Sequence, residues 1–307
     1  MVDLQVVTDP FQTGRRAFLR SVAAFAATGS LFAPTLVRAG QGPRLAAIDW
    51  AMLETAVALG QMPVAACELI GYRAQAVTPV IPPDVVDLGL RGAPNFELLQ
   101  LTRPDLILSS PFYEQHRPRL EGIAPVLSLP FYVPGERPLQ KAFAALEALA
   151  SATDRPEAAY RAASDAEVGF ERAAARLAEM ADRPVGLVDI GDARHLRAFG
   201  FDSMFGDVLV RLGLQNGWEG RTRFSFRAPI PLEGLADLPE ARLVIVGDVA
   251  VEARQSLRRS VLWRALPQVR GERVYQLPSV TPFGGLPAAL RFAELLAEAF
   301  ETGPSQV

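Results

Sequence analysis

The amino-acid sequence predicts an α/β protein whose two lobes are joined by a long helix. Apolar, strand-like segments alternate with short helical ones on both sides of a central helical region, and such alternation is typical of βα units in a mainly parallel sheet. The length of 307 residues allows a large core and more than one lobe. One helical segment of about 26 residues, about 39 Å at 1.5 Å per residue, is long enough to span two lobes. The alternative is an ordinary surface helix of one large domain.

The same pattern predicts the boundaries of the lobes and of their elements. We expect an N-terminal α/β lobe over residues 40–137, a helical connector over 138–182 and a C-terminal α/β lobe over 183–307. A helix opened by Asn95 and a final helix over residues 287–300 are expected from their capping and proline signals. The predicted strands cover residues 44–49, 64–69, 84–88, 105–109, 126–131, 184–191, 195–200, 242–248 and 273–278.

The first 39 residues are predicted to be an export signal. Arg15 and Arg16 precede an apolar stretch over residues 22–36, a pattern close to the twin-arginine signature, with Gly14 in place of the usual serine or threonine. We expect export by the twin-arginine translocase to the periplasm, with cleavage near Ala39. An uncleaved anchor or a chance arginine pair is the alternative.

Composition and the absence of motifs exclude several classes of function. The net charge of −3 favours neither nucleic acid nor an anionic membrane surface as a partner. The single cysteine, Cys67, cannot form an internal disulfide and is expected in the core. His116 and His195 are the only histidines, and they are expected in a loop and at a strand edge, respectively. The sequence therefore offers few ligands for a transition-metal ion bound directly by the protein.

Enzymatic signatures are also missing from the sequence. It contains no G-x-S-x-G, Walker, HExxH or C-x-x-C pattern. The adjacent Gly284 and Gly285 lack the helix-opening context that a phosphate-binding loop needs. An enzyme is therefore disfavoured, because a hydrolase would need a nucleophile–base pair that is not found.

Two side chains with donor groups follow neighbouring predicted strands. Arg91 comes after the strand at 84–88, and Tyr113 comes after the strand at 105–109. Open α/β sheets bind ligands beyond the carboxyl ends of their strands. One cation and one phenol near a shared crevice favour a receptor for an anionic or oxygen-rich molecule.

The run VVDLGLRGAPNFELLQLTRPDLIL, which contains Arg91, resembles the N-terminal lobe of periplasmic binding proteins for iron(III)–siderophore complexes, in particular the hydroxamate group. FGFDSMFGDVLVRLGLQNGWEG, at residues 199–220, is similar to the start of that group's second lobe. VLWRALPQVRGERVYQLP, at residues 261–278, is similar to its C-terminal part. The resemblance covers nearly all of the chain after residue 43 and implies two Rossmann-like lobes with the ligand cleft between them.

This resemblance implies a periplasmic substrate-binding protein that captures an iron(III)–hydroxamate siderophore and delivers it to the permease of an ABC-type inner-membrane importer. It implies a monomer without a cofactor, in which iron is bound only through the siderophore. A haem or cobalamin carrier of the same fold is the alternative, because part of the motif is shared with those binders. A signalling subunit that senses the chelate without transporting it is a third possibility. A siderophore-modifying enzyme is a less favoured alternative, because it would need a nucleophile–base pair.

The resemblance also implies roles for individual residues. Arg91 is expected to give parallel charge-assisted bonds to the chelate oxygens, and Tyr113 to add a hydroxyl donor and a ring surface. Trp218 is expected either as an aromatic wall from the second lobe or as core filler. Glu97 and Glu233, one in each lobe, are expected to dock on basic pockets of the permease, the alternative being ordinary first-turn glutamates.

The sequence departs from the enterobacterial type of ferrichrome binder, whose cleft is lined by several tryptophans. At the corresponding places this chain has Gln75, Ser109 and Ser225, with Phe112 nearby. A more polar cleft suits a more hydrophilic ligand, such as a citrate-based dihydroxamate.

Overall fold

The computed structural model describes residues 42–192, 194–218 and 228–305. These ranges contain ten strands, eleven α-helices and three short 3₁₀ helices. The strands are β1 (Leu45–Ala47), β2 (Ala65–Ala66), β3 (Val86–Asp87), β4 (Leu106–Ser109), β5 (Val126–Ser128), β6 (Val185–Ile190), β7 (His195–Ala198), β8 (Ala228–Pro231), β9 (Arg242–Val246) and β10 (Val274–Leu277). The α-helices are α1 (Trp50–Ala58), α2 (Leu69–Gln75), α3 (Phe96–Thr102), α4 (Arg117–Glu121), α5 (Pro138–Thr153), α6 (Pro156–Leu177), α7 (Met204–Arg211), α8 (Val251–Arg259), α9 (Val261–Ala265), α10 (Pro267–Arg270) and α11 (Leu286–Thr302). The 3₁₀ helices are Pro111–His116, Ala178–Met180 and Leu232–Asp237.

The strands form two sheets, which confirms the predicted α/β class. The first sheet has the order β3-β2-β1-β4-β5 and is parallel throughout. The second has the order β10-β9-β6-β7-β8, in which β10, β9 and β6 are parallel. We call each sheet with its flanking helices a lobe.

The second sheet departs from the expected alternation at its β8 edge. Strand β7 pairs with both β6 and β8 in antiparallel orientation. The predicted strand containing His195 is present, but only a short turn separates it from β6. A turn of that length allows a hairpin and not the crossover that a parallel neighbour requires.

The first-lobe strands are shorter than predicted, and the helices α2 and α4 were not predicted. The segment at 64–69 was expected to be a single strand, whereas pairing stops at Ala66 and α2 begins at Leu69. Glu68 separates the two elements in a left-handed conformation, with φ of 58°. The predicted cap Asn95 is confirmed, because its side-chain oxygen accepts the N–H of Leu98 at 2.9 Å.

The predicted long helix between the sheets is α6, which has 22 residues. It is about 33 Å long at 1.5 Å per residue, shorter than expected because the chain tightens into the 3₁₀ helix Ala178–Met180. It packs against α5 and α11. Arg176 of α6 also binds Glu294 and Glu301 of α11, both at 2.8 Å.

A single apolar cluster runs through both lobes. Helices α1, α5, α6, α7 and α11 contribute buried side chains to it, together with one face of each sheet. Along β1, Leu45 and Ala47 belong to this cluster, whereas Ala46 belongs to a separate core on the opposite face that also contains Cys67. The predicted burial of Cys67 is therefore confirmed. Helix α11 packs on both α1 of the first lobe and β10 of the second.

The start of α11 is tied to the first lobe by a buried carboxylate. Glu54 of α1 accepts the backbone N–H groups of Gly285 at 2.7 Å and Ala288 at 3.1 Å. Gly284 and Gly285 therefore do precede a helix, contrary to the sequence interpretation, but a carboxylate satisfies the first amides of α11. A side chain at Gly284 would lie 2.5 Å from a Glu54 oxygen, which explains the glycine there.

No helix in residues 42–192, 194–218 and 228–305 is both long and apolar enough to cross a membrane.

Candidate ligand-binding site

Polar side chains converge at the carboxyl ends of the strands of the first sheet. Asp49 follows β1, Glu68 follows β2, Arg91 follows β3, and Ser110 and Tyr113 follow β4. Because these strands are parallel, their carboxyl ends share one edge of the sheet, where open α/β folds bind ligands. The structure thus places the two sequence-predicted donors, Arg91 and Tyr113, at one edge.

Arg91 is fixed from two sides. Its Nε lies 2.5 Å from Oε2 of Glu68, and its guanidinium carbon lies 3.8 Å from the ring centroid of Trp50. The side chain is 21% exposed. Within the described part of the chain its two terminal nitrogens make no hydrogen bond, so they remain available to a ligand. A planar fork of this kind suits two parallel bonds to oxygen atoms.

Trp50 provides the platform on which Arg91 rests. Its indole N–H donates to the carbonyl of Cys67 at 3.1 Å, and its ring meets that of Tyr72 edge to face at 5.4 Å. The side chain is buried at the first position of α1. A guanidinium over a tryptophan face gains a cation–π attraction, so the orientation of Arg91 is set before any ligand arrives.

Tyr113 lies in the 3₁₀ helix Pro111–His116 and is half-buried. Loss of solvent, with a smaller contribution from the charge of Asp49, raises the pKa of its phenol to about 12, and Arg91 opposes this increase. With its pKa well above neutrality, the hydroxyl stays protonated and able to donate a hydrogen bond.

Asp49 connects the site to the framework beneath it. One carboxylate oxygen accepts the N–H of Ala51 at 2.8 Å as the cap of α1, and the other accepts the Ser110 hydroxyl at 2.8 Å. Burial raises the pKa of this carboxyl, while the bond from Ser110 and the charge of Arg91 lower it. Asp49 therefore fixes the start of the segment that carries Tyr113.

The turn that carries Arg91 is also bonded to the 3₁₀ helix that carries Tyr113. Nε2 of His116 lies 3.0 Å from the carbonyl oxygen of Gly92, and the His116 ring meets Phe96 edge to face at 5.7 Å. The expectation of a simple solvated loop residue for His116 was therefore incomplete. His195, by contrast, is exposed in β7 as expected.

The other predicted ligand contacts of the first lobe differ in their exposure to solvent. Gln75 is exposed at the last position of α2, and Phe112 is 53% exposed beside Tyr113. Ser109 is buried, at 3% exposure, because it is the last residue of β4 and packs inside the sheet. Ser225 lies outside the described residues.

The structure places Trp218 in the core of the second lobe and not on a ligand-facing wall. The side chain is 3% exposed and packs with residues of β6, β7 and β9. Its indole N–H donates to the carbonyl of Leu187 at 2.9 Å. A tryptophan held in this way fills the space over the sheet, so the packing alternative is the one observed.

The amino-acid pattern of the periplasmic binding protein family matches residues 45–281, which is most of the chain. The chain belongs to this family. The expectation of a binding protein and not an enzyme is thereby confirmed.

Individual relatives of this binding protein point to iron transport. It is 29% identical to the iron(3+)-hydroxamate-binding protein FhuD of Escherichia coli (strain K12) over 256 residues, covering 83% of this chain and 86% of the relative. The structure of Fe3+-Desferal-bound FhuD from Vibrio cholerae matches with a TM-score of 0.79 and 26% identity, covering 85% of this chain and 99% of that one. The petrobactin-binding protein YclQ of Bacillus subtilis shares the fold, with a TM-score of 0.69, 15% identity and coverage of 85% and 93%.

Two groups of this binding protein's site were missed by the sequence interpretation. Trp50 and Glu68 both contact Arg91, from sequence distances of 41 and 23 residues. Glu68 was assigned to a strand, although a carboxylate directly after the apolar run at 64–67 was a signal that the strand ends there. Trp50 gave no signal beyond its position after the capping residue Asp49.

Proposed function

We propose that this binding protein captures an iron(III)–hydroxamate siderophore and delivers it to an ABC-type importer. The observation that carries the proposal is Arg91, whose guanidinium is held by Glu68 and Trp50 with both terminal nitrogens unbonded within the described ranges. The names of the two FhuD relatives, one a hydroxamate-binding protein and the other bound to Fe3+-Desferal, support the ligand class.

The chemistry of an iron(III) hydroxamate fits these groups. The chelate surrounds the metal with its own oxygens, so the protein has only to recognise negatively polarised oxygen atoms. Arg91 donates two parallel bonds to them, and the protonated Tyr113 hydroxyl donates a third. Across the described ranges, no cluster of three or more histidine, cysteine or acidic side chains is placed to ligate a metal ion.

The test is a titration of tryptophan fluorescence with ferrichrome, ferric desferrioxamine B and ferric schizokinen. Trp50 contacts Arg91 directly, so an iron chelate there quenches its emission. Arg91→Ala removes a charge-assisted contact on the order of 2–5 kcal/mol and should weaken hydroxamate binding roughly 30-fold or more. Arg91→Lys should recover only part, because an ammonium lacks the planar fork. Tyr113→Phe should cost about 1 kcal/mol, the worth of a neutral hydrogen bond.

Arg161→Ala is the matched control, because Arg161 is exposed on α6. Haem and cobalamin are titrated in parallel. Equal binding of hydroxamates by wild type and Arg91→Ala would show that the site is wrong. Binding of haem or cobalamin with no binding of any hydroxamate would overturn the ligand class.

Delivery requires a surface that the permease recognises, and we assign this to Glu97 and Glu233. Both side chains are exposed in the first turn of a short helix, Glu97 in α3 of the first lobe and Glu233 in the 3₁₀ helix Leu232–Asp237 of the second. We propose that one monomer docks through these two carboxylates, which orient the complex more than they hold it.

Location in the periplasm follows from the same proposal. The family and the FhuD relatives support it. The expected signal, with Arg15, Arg16 and the cleavage position near Ala39, lies outside the described residues. We propose export by the twin-arginine translocase on the sequence pattern alone.

A further inference from the structure

We infer that Glu68 sets the charge preference of the site, so that neutral and cationic iron chelates bind in preference to anionic ones. This inference rests on the proposed function and names the class of chelate within it. It starts from the bond of 2.5 Å between Glu68 Oε2 and Arg91 Nε, which places a carboxylate directly beside the cation that meets the ligand.

The backbone of Glu68 is held so that its side chain can reach Arg91. Glu68 occupies a left-handed conformation, with φ of 58°, which is costly for a residue other than glycine. Its N–H donates to the carbonyl of Gly89 at 2.7 Å, and its own carbonyl accepts the N–H of Tyr72 at 2.9 Å. The first of these bonds ties Glu68 to the turn of Arg91, and the second ties it to α2.

Glu68 and Trp50 restrain different parts of the guanidinium. Glu68 accepts the Nε–H bond and Trp50 covers one face of the guanidinium, while the two terminal nitrogens have no hydrogen-bond partner within the described residues. Glu68 therefore does two things at once. It positions the fork of Arg91, and it offsets the positive charge that the fork would otherwise present.

Other acidic groups reinforce this balance of charge. Asp87 accepts the N–H of Gly89, two residues before Arg91, at 3.0 Å, and its other oxygen accepts the N–H of Leu69 at 3.1 Å. The charge of Arg91 lowers the pKa of Asp49, although burial of that carboxyl has the larger, opposite effect. Asp49 and Asp87 thus add two carboxyl groups to that of Glu68 at this edge of the sheet.

The consequence for binding depends on the net charge of the chelate. An anionic chelate that bonds to Arg91 also approaches Glu68, and the repulsion grows with each negative charge that it carries. A neutral chelate keeps the local bonds to Arg91 without this repulsion. A cationic chelate is attracted by the surplus of carboxylates. Because the Glu68 side chain is 31% exposed, salt should weaken the discrimination.

The test compares three ferric chelates that differ in net charge: cationic ferric desferrioxamine B, neutral ferrichrome and a trianionic ferric tris-catecholate. Glu68→Gln keeps an oxygen that can accept the Nε–H bond and removes the charge. Relative to wild type, we expect its affinity for the trianion to rise about tenfold or more and its affinity for ferrichrome to stay within about threefold. Its affinity for the cation should fall.

Glu68→Asp and Glu147→Gln are the comparison variants. The aspartate keeps the charge, so the order of preference should persist even if binding weakens for all three chelates. Glu147 is exposed on α5, outside the site, and its variant should behave as wild type. In the wild type, raising the salt concentration should narrow the gap between cationic and trianionic chelates, a readout that does not depend on whether any variant folds.

The outcomes separate this inference from the proposed function. If ferrichrome binds and needs Arg91, but Glu68→Gln changes the three affinities by one common factor, Glu68 only positions Arg91 and the charge inference is overturned. An absence of salt dependence in the wild type would overturn it as well. If neither ferrichrome nor another ferric hydroxamate binds, it is the proposed function that fails.

Discussion

Glu54 should make the stability of this protein fall as the pH rises through neutrality. Its carboxylate is fully buried and accepts bonds from Gly285, Ala288 and the Tyr72 hydroxyl. Burial raises its pKa from the ordinary 4.5 to about 7, although the three hydrogen bonds oppose this and Asp49 adds to it. The folded protein therefore holds a proton on Glu54 under conditions in which the unfolded chain has released it.

The sign and size of the change in the free energy of unfolding follow from this difference in protonation. A raised pKa in the folded state means that Glu54 stabilises the fold fully below about pH 4.5, and that this contribution is lost as the pH rises through about 7. The difference between the two pKa values of Glu54 corresponds to about 3 kcal/mol in the free energy of unfolding. Roughly 2.5 kcal/mol of this stabilisation is lost between about pH 5 and about pH 8.

The perturbation is Glu54→Gln, which keeps the shape and an acceptor oxygen but cannot ionise. The assay is urea unfolding followed by circular dichroism across this pH interval. The free energy of unfolding of wild type should fall by roughly 2.5 kcal/mol more than that of the variant. Glu147→Gln, an exposed change on α5, should follow wild type. If Glu54→Gln loses as much stability as wild type between the two pH values, the reasoning is refuted.

Two further predictions concern transport and export. Replacing Glu97 and Glu233 together by glutamine should impair siderophore uptake by cells and leave the affinity of the purified protein unchanged, because exposed charges serve orientation and encounter; unimpaired uptake would contradict the docking role. Replacing Arg15 and Arg16 together by lysine should trap unprocessed precursor in the cytoplasm, as fractionation and mass measurement would reveal; normal accumulation in the periplasm would contradict the twin-arginine route.

Local signals in the sequence predicted the elements well. Asn95 was expected to cap a helix and does so, because capping depends on residues only a few positions apart. The apolar run before Ser109 predicted β4, and the strand ends then located Arg91 and Tyr113 on one edge of the sheet. These inferences succeeded because strand periodicity and parallel topology together determine which loops meet.

Contacts between distant segments could not be predicted in the same way. Trp218 is buried because its indole N–H reaches the carbonyl of Leu187, 31 residues away, and nothing near Trp218 in the sequence indicates that partner. The pairing of Glu68 with Arg91 depends on one left-handed residue that ends β2 early. A side chain assigned to a continuous strand has a different direction, so the carboxylate beside the cation was not foreseen.

Helix α11 contributes buried side chains to a core that both lobes share, and it lies against α1 and β10 at once. Its 17 residues therefore have to pack against both lobes. A substitution on α11 that improves packing against one lobe must also be compatible with packing against the other. Lobes exchanged between related proteins should remain functional only when α1 and α11 descend from the same parent, so this protein is expected to diversify through its strand-end loops while its two halves are inherited together.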